Sequence, residues 1–234
     1  MPTSAPTIRR LHPQPVEATR ISDAYGDARH PHPDRPWIGV CMVTSLDGSV
    51  AVDGTSGALG NQNDLDVLLT LRRIADMLIV GAGTARGEGY GPPKKPGQRI
   101  GVVTNSGNID LDSELFTSGA GFVVTANTTD LGDTHVDVLR TGTDQVDIVE
   151  AVTRLDEIMP GVRYVQAEGG PHLNGSLLDA DLVDELDVTI SPRLVGGDGP
   201  RLTAGANATI RNFRVSHLLA DDDGFVFGRY IRDR

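Results

Sequence analysis

The chain has 234 residues, of which 38% are apolar, and it can therefore bury the core of one large domain or of two small ones. Its formal charge of -11 repels nucleic acid and anionic membrane surfaces, so an anionic ligand would need local positive groups. The single cysteine, Cys41, excludes a disulfide framework, and no segment approaches the roughly 20 apolar residues of a membrane span, so we expect a cytoplasmic protein.

The first 35 residues are rich in Pro, His, Arg and Asp and show no sustained apolar period. Residues 1–35 are therefore predicted to form an irregular arm. Within this arm, prolines stand beside His30 and His32 and predict an extended, solvated segment. A metal site is not expected there, because no further ligand is suitably spaced.

Strand and helix patterns alternate from Trp37 onward. Apolar runs bounded by turn residues predict strands at 37–43, 77–80, 100–103, 121–125, 163–167 and 185–190. Apolar residues at helical spacing predict helices over 64–76, 147–159 and 173–180. This alternation indicates parallel strands covered by helices on both faces. The apolar segments around "ADDDG", residues 220–224, predict an antiparallel hairpin, and we expect one α/β domain with a mixed, mainly parallel sheet over 36–234.

Two glycine-rich segments follow predicted strands, "VGAGTARGEG" at 80–89 and "EGGP" at 168–171. Glycine lets the backbone approach a ligand closely, and a helix that begins there directs unpaired N–H groups outward. Either segment taken alone is explained by the need for glycine in a turn between a strand and a helix. Two such segments on neighbouring parallel strands favour an anionic ligand, because open α/β sheets bind at the carboxyl ends of their strands. Glu168 is expected to point away from phosphates and to accept hydrogen bonds from backbone N–H groups or ligand hydroxyls.

The glycine spacing differs from that of a Rossmann fingerprint by one residue, and the turn follows the second strand rather than the first. A domain that binds NAD would place an acid at the end of the next strand. Here that strand ends in Thr104, Asn105 and Ser106, neutral groups that tolerate a 2′-phosphate and so favour NADPH over NADH. The sequence contains no P-loop motif.

Three segments carry a resemblance to a known family: "MVTSLDGSVA", "NDL...LR..ADMLIVGAGT" and "VQAEGGPHLNGSLLDADLVDELDVTISPRLVGG". Together they resemble the reductase domain of riboflavin biosynthesis, a branch of the dihydrofolate-reductase-like superfamily, from about Trp37 to the C-terminus. The resemblance implies a single-domain dihydrofolate-reductase-like fold, a homodimer, and NADPH as hydride donor. The implied substrate is a diaminopyrimidine or aminouracil ribosylamine phosphate, whose ribose is reduced to a ribityl chain. The zinc motif of the deaminase domain that is often fused to this reductase does not occur, so deamination is excluded.

The resemblance also implies positions for the cofactor. One side of it would be lined by Gly81, Gly83 and Thr84, the other by Glu168, Gly169 and Gly170, and the adenosine 2′-phosphate by Thr104, Asn105 and Ser106.

Asp64 is the first candidate for catalysis, since it opens the first predicted helix at a place similar to that of the substrate-binding acid of dihydrofolate reductases. A carboxylate there could bond a pyrimidine or pteridine N–H pair and favour a protonated acceptor. The alternative is simple stabilisation of the first helical turn. Asp47, in "SLDG", is the second candidate, and its alternative is an ordinary Asp-Gly turn. Arg72 and Arg73 end the same helix as Asp64, where a structural role is the better interpretation.

One stretch departs from the family pattern. Residues 87–99 read "GEGYGPPKKPGQR", where the family carries a D-x-P-x-L-T-x-R type segment whose basic residue contributes to the substrate-phosphate site. Lys94, Lys95 or Arg99 could replace that residue, although the Pro and Gly residues around them predict a mobile loop. This departure weakens the substrate assignment and leaves the pocket open to an unphosphorylated ring, including dihydrofolate. Riboflavin-pathway reduction is the leading hypothesis on the strength of the resemblance. Dihydrofolate reduction and a non-catalytic NADPH-binding protein stay open as alternatives.

Overall fold

Eleven strands form one sheet in residues 7–234, the part of the chain that a computed structural model describes. The strands are β1 Ile8–His12, β2 Val16–Thr19, β3 Trp37–Thr44, β4 Met77–Gly81, β5 Arg99–Val103, β6 Gly121–Thr125, β7 Asp137–Arg140, β8 Tyr164–Ala167, β9 Glu185–Ile190, β10 Phe213–Asp221 and β11 Val226–Arg232. The helices are α1 Ile21–Tyr25, α2 Gln62–Ile74, α3 Ala82–Gly87, α4 Glu114–Thr117, α5 Ile148–Thr153 and α6 Pro171–Asp179, and a 3₁₀ turn spans Leu155–Glu157.

The sheet has the order β2-β1-β10-β11-β9-β3-β8-β4-β5-β6-β7. Strands from β9 to β7 in this order pair in parallel, whereas β2, β1, β10, β11 and β9 pair in antiparallel fashion. The predicted mixed, mainly parallel sheet with a C-terminal antiparallel hairpin is thus confirmed. Within residues 7–234, no helix is both long and apolar enough to cross a lipid bilayer.

Helices pack against both faces of the parallel strands, and the two-residue period of β4 shows how. Met77 and Ile79 lie in a cluster that includes buried residues of α5 and α6. Leu78 and Val80 lie in a second cluster, which includes Leu115 and Phe116 of α4. Successive side chains of a strand point to opposite faces, so a strand that is apolar throughout must be covered twice.

A third cluster joins α2 to the C-terminal hairpin. Val67 and Leu71 on the buried side of α2 pack with Leu219, Phe225 and Phe227. The helix that carries Asp64 therefore lies over the antiparallel part of the sheet as well as beside the parallel strands.

The predicted irregular arm is wrong for the described residues 7–35, which form two strands and a helix. Strand β1 pairs with β10, and Ile8, Ile21 and Tyr25 are buried in the third cluster. These elements are four or five residues long, too short for a periodic pattern, and they are held by partners far away in the chain. The expected solvated position of His32 is also wrong, because its Nε2 lies 2.9 Å from Asp184 Oδ1 and its ring stacks on Trp37.

The predicted helix over 147–159 is interrupted after Thr153, where the 3₁₀ turn follows. The Thr153 hydroxyl donates to the carbonyl oxygens of Val149 and Glu150, at 3.1 and 2.9 Å. Such bonds from a side chain to the preceding turn compete with regular helix geometry.

A buried ion cluster fastens the N-terminal segment to β9. Arg29 donates to both carboxylate oxygens of Glu185, at 2.8 and 2.5 Å, and Arg229 Nε lies 2.9 Å from Glu185 Oε1. The Glu185 side chain is 0% exposed and that of Arg29 is 1% exposed. Burial opposes ionisation of Glu185, but the two guanidinium groups hold its pKa below the ordinary value.

We expect Glu185→Gln to destabilise the fold by about 3–5 kcal/mol, because it removes the buried carboxylate between Arg29 and Arg229 and leaves both guanidinium groups to share the exposed Asp27. Urea unfolding followed by circular dichroism measures this free energy. Glu157→Gln is the matched control, since Glu157 pairs with Arg154 at the exposed surface and should leave the unfolding midpoint almost unchanged. Equal midpoints for the two variants would contradict the role assigned to Glu185.

Candidate active site

A cleft of about 1080 Å³ lies at the carboxyl ends of β3, β4 and β8. Its apolar wall includes Cys41, Met42, Val43, Leu68, Leu78 and Ile100. Its ionisable side chains are Asp53, Asp64, Glu88, Glu168, Arg72, Arg73, Lys94 and Lys95, together with the Tyr90 hydroxyl and the Cys41 thiol. A mostly apolar concavity with a few polar groups is the usual form of a small-molecule site.

The two glycine turns meet directly at this cleft. The backbone N–H of Gly81 donates to the carbonyl oxygen of Gly169 at 2.8 Å, and a Cβ atom added to Gly170 would lie 2.9 Å from Thr84 Oγ1. Gly169 has a φ of +82°, in the left-handed region that favours glycine. Gly83 faces the cleft, and a Cβ atom added to it would meet no heavy atom within 4 Å. Gly83, Thr84, Gly169 and Gly170, predicted from two separate segments, thus line one cleft, and Gly81 joins the two turns without being among the lining residues.

Glu168 does not make the expected bonds to backbone N–H groups. Its carboxylate accepts from Arg72 Nε at 2.7 Å, from Arg72 Nη2 at 2.6 Å and from the Tyr90 hydroxyl at 2.6 Å. Such a two-pronged bond to a guanidinium is strong and directional. The hydrogen bonds to Glu168 raise the pKa of Arg72 even though burial opposes its charge.

Arg72 and Tyr90 are site residues that the sequence analysis missed. The Arg72 guanidinium lies 5.3 Å from the centre of the Tyr90 ring, and burial raises the pKa of the Tyr90 hydroxyl. Arg72 looked like an ordinary cation at the end of a helix, where it would serve only the helix dipole. The available signal for Tyr90 was an aromatic residue isolated among Gly and Pro residues.

The loop predicted to be mobile is fastened to the end of α2. Lys95 Nζ donates to the carbonyl oxygen of Ala75 at 2.6 Å, and Gln98 Nε2 donates to those of Arg72 and Ala75 at 2.7 and 2.8 Å. Lys94 and Lys95 line the cleft.

Arg99, the third candidate for a phosphate contact, lies elsewhere. It pairs with Asp137 at 2.7 Å and is not among the residues that line the cleft. Gln98 and Ile100 on either side of it line the cleft, but the Arg99 side chain is held by Asp137, which disfavours it as a replacement for the family's basic residue.

Asp64 lies in the first turn of α2 and lines the cleft, as predicted from its place in the sequence. Its backbone N–H donates to the side chain of Asn61, the N-cap residue, at 3.0 Å. Its carboxyl group hydrogen bonds with Thr189, and burial raises its pKa above the ordinary value. A carboxyl group in such a place retains a proton at a higher pH than an exposed one does.

Asp47 lies in the turn after β3 and is not among the residues that line the cleft. Its carboxylate accepts from the Ser45 hydroxyl and from the backbone N–H groups of Gly196 and Val195. These bonds lower its pKa to about 2, with the Ser45 bond the largest cause. The contacts support a role in holding the loop around residue 195 and disfavour direct contact with a substrate.

The predicted 2′-phosphate residues follow β5, the strand next to β4. Thr104 Oγ1 accepts from Gly107 N, Asn105 Oδ1 from Val146 N and Ser106 Oγ from Asn108 N. Asn105 and Ser106 are exposed at this tip, beside the main cleft rather than in its lining.

Comparison with known proteins gives a consistent set of matches. The family model of the RibD C-terminal domain matches residues 36–227. The 2,5-diamino-6-ribosylamino-4(3H)-pyrimidinone 5′-phosphate reductase of Methanothermobacter thermautotrophicus is 27% identical over 211 residues, which cover 80% of this chain and 95% of that protein. The protein of the same name from Archaeoglobus fulgidus is 24% identical, over 85% of this chain and 100% of that protein.

Solved structures of similar fold include a pyrimidine reductase-like protein and a dihydrofolate reductase. A pyrimidine reductase-like protein from Corynebacterium diphtheriae has a TM-score of 0.79 and 25% identity, over 93% of this chain and 100% of that chain. Dihydrofolate reductase from Enterococcus faecalis has a TM-score of 0.53 and 15% identity, over 85% of this chain and 97% of that chain, a likeness of fold alone.

We expect Gly169→Ala to destabilise the protein by about 1–2 kcal/mol, because a side chain disfavours a φ of +82°. The added Cβ would also lie 2.9 Å from Met42 Sδ. Gly83→Ala is the matched control, since space surrounds an added Cβ there. Thermal and urea unfolding measure both, and a Gly169→Ala protein as stable as Gly83→Ala would contradict the strained turn.

Proposed function

Because the chain belongs to the RibD C-terminal domain family, we propose that it is an NADPH-dependent reductase that acts on the ribosylaminopyrimidine phosphate of riboflavin biosynthesis. The substrate would be of the 2,5-diamino-6-ribosylamino-4(3H)-pyrimidinone or 5-amino-6-ribosylaminouracil 5′-phosphate type. The observation that carries the proposal is one cleft whose lining includes both contacting glycine turns and the partly buried carboxyl group of Asp64. The reductase domain would span 36–234.

The glycine turns have the form that a dinucleotide requires. Gly83 leaves open space at the start of α3, and Gly169 and Gly170 bring bare backbone to the cleft wall beside Gly81 and Thr84. Backbone N–H groups in such turns bind pyrophosphate without side-chain cations, which suits a chain with a formal charge of -11. When bound, NADPH supplies a hydride to the C=N or C=O acceptor of the ribosylamino group.

Glu168 contributes to this wall through its partners. Because Arg72 and Tyr90 occupy its carboxylate, the negative charge next to Gly169 is neutralised by a direct ion pair. A phosphate close to the turn then meets less repulsion than an unpaired Glu168 would exert. The exposed side chains of Asn105 and Ser106, one strand tip further along, are proposed to receive the adenosine 2′-phosphate, with the buried Thr104 holding the turn beneath them through its bond from Gly107 N.

Asp64 is the proposed acid. Reduction of a C=N or C=O acceptor adds a hydride at carbon and a proton at nitrogen or oxygen. Burial raises the pKa of the Asp64 carboxyl group, so that it holds a proton to a higher pH than an exposed aspartate does. Thr189 and the Asn61 cap hold this group at the cleft wall. Protonation makes the acceptor more electrophilic, and the fixed geometry avoids the entropy cost of orienting the acid.

Two further features complete the proposal. Lys94 and Arg73 line the cleft and would meet the substrate phosphate. From the family resemblance we also propose a homodimer in the cytoplasm.

Dihydrofolate reduction is not favoured, since the relatives named above are pyrimidinone phosphate reductases and the likeness to dihydrofolate reductase is one of fold alone.

The function is tested by steady-state oxidation of NADPH at 340 nm with the phosphorylated ribosylaminopyrimidine, and separately with dihydrofolate. We expect turnover of the pyrimidine with NADPH, weaker turnover with NADH, and none of dihydrofolate. Calorimetry with NADPH identifies the non-catalytic alternative, for which the cofactor would bind but neither substrate would be reduced. That result would overturn the proposed reaction.

We expect Asp64→Asn to lower kcat by about 100-fold or more, because it removes a proton donor from the reaction. In the wild-type enzyme, the rate should be highest where Asp64 is protonated and should fall as pH rises through its raised pKa. The variant should lose this limb of the pH profile. Asp66→Asn is the control, since Asp66 lies two residues along on α2 and bonds to Gln62 outside the cleft lining. An unaltered pH limb in Asp64→Asn would remove Asp64 from the mechanism.

A further inference from the structure

Asp221, the last residue of β10, joins the C-terminal hairpin to the start of α2. Its carboxylate is buried, with the residue 2% exposed. Oδ1 accepts from the backbone N–H groups of Asp223 and Phe225, both at 3.0 Å. Oδ2 accepts from Asn61 Nδ2 at 2.8 Å and from Asn63 Nδ2 at 3.0 Å.

The two oxygens of Asp221 serve different parts of the molecule. The bonds to Oδ1 close the tight turn of the hairpin, which is all that the "ADDDG" sequence pattern requires. The bonds to Oδ2 have no part in that turn, because their donors belong to α2 and its cap. A turn-forming role alone therefore leaves half of the carboxylate unexplained.

Oδ2 of Asp221 is connected to Asp64 through one side chain, that of Asn61. Asn61 donates to Asp221 with its Nδ2 and accepts from the Asp64 N–H with its Oδ1, at 3.0 Å. A carboxamide has distinct donor and acceptor ends, so the bond to Asp221 determines which end faces the helix. The Asp64 carboxyl group also packs tightly against Gly60, since a Cβ atom added to Gly60 would clash with Asp64 Oδ2. A small shift of the first turn of α2 would thus move the Asp64 carboxyl group.

We propose that Asp221 is a positioning residue for the reduction, which fixes the first turn of α2 through Asn61 and so holds Asp64 against the cleft. This inference rests on the proposed role of Asp64. Asp221 itself is not among the residues that line the cleft. Asp221 can act at a distance because Leu219 and Phe225 of the hairpin pack against Val67 and Leu71 of α2. This packing keeps the hairpin and α2 together.

Three variants separate positioning from simple stability. Asp221→Asn retains an oxygen for the turn but directs an N–H group at the Nδ2 donor of Asn61. Asn61→Asp retains a helix cap but brings two carboxylates together. The double variant Asn61→Asp with Asp221→Asn restores one donor opposite one acceptor between positions 61 and 221, while Asn63 Nδ2 still meets the N–H group at position 221. We expect each single variant to lower kcat by about 10-fold with the Kd for NADPH changed less than about 2-fold, and the double variant to recover most of kcat.

Matched controls keep the result interpretable. Asp223→Asn makes the same chemical change in the exposed part of the same turn and should retain wild-type kcat. Asn61→Ser provides a milder break, because serine caps a helix but does not reach Asp221. All rates are compared at temperatures where circular dichroism shows the same folded fraction. If Asn61→Ser has wild-type kcat, or if the double variant recovers the melting temperature but not kcat, the proposal is overturned.

A readout without turnover distinguishes this proposal from the proposed function. Carbon-13 NMR of the carboxyl groups follows the titration of Asp64, assigned by its loss in Asp64→Asn. We expect Asn61→Ser, which breaks the contact with Asp221 without changing a charge near Asp64, to lower the pKa of Asp64 toward its ordinary value, because the carboxyl group becomes more exposed. Absence of substrate turnover by the wild-type protein would refute the proposed function. An unshifted Asp64 titration in folded Asn61→Ser would refute the positioning role of Asp221.

Discussion

The parallel insertion of β8 between β3 and β4 is the constraint on which the site depends. Because these three strands run in the same direction, their carboxyl ends meet at one edge of the sheet, and the chain leaves each strand at the cleft. The two glycine turns are brought together by this arrangement, and the Gly81 N–H bonds to Gly169 as a continuation of the pairing between the strands. A slip of β8 by one residue would reverse the direction of Glu168 and Gly169 and abolish the shared surface.

Two buried acids of this negatively charged protein, Glu185 and Glu168, are paired with guanidinium groups. Glu185 is enclosed by Arg29 and Arg229, and Glu168 is bound by Arg72 and Tyr90. The two cases differ in consequence. The first joins the N-terminal segment to the sheet, whereas the second neutralises a carboxylate beside bare backbone N–H groups. Asp64 differs from both, since no guanidinium group within residues 7–234 pairs with it and burial raises its pKa.

Helix α2 connects these features. Its first turn carries Asp64, its last turn carries Arg72, and its buried side packs on the C-terminal hairpin. The acid and the ion pair that neutralises Glu168 therefore stand at a distance set by two turns of one rigid helix. The cap residue Asn61 and the hairpin residue Asp221 then determine how this helix sits relative to the strands.

The sequence by itself determined the elements whose pattern is local. Strands β3 to β6 and β8 to β11, helix α2 and the two glycine turns all have short-range periodicity or turn chemistry, and the sequence predicts them within a few residues of their bounds. The four-residue edge strand β7 is not among the predicted strands. The position of Asp64 in a first helical turn followed from the same kind of signal. Only the tertiary structure decided the partners of Glu168, the loop anchoring by Gln98, the strands before residue 20 and the second role of Asp221. Each of these depends on contacts between residues far apart in the chain, and a contact of that kind leaves no periodic trace in the residues that make it.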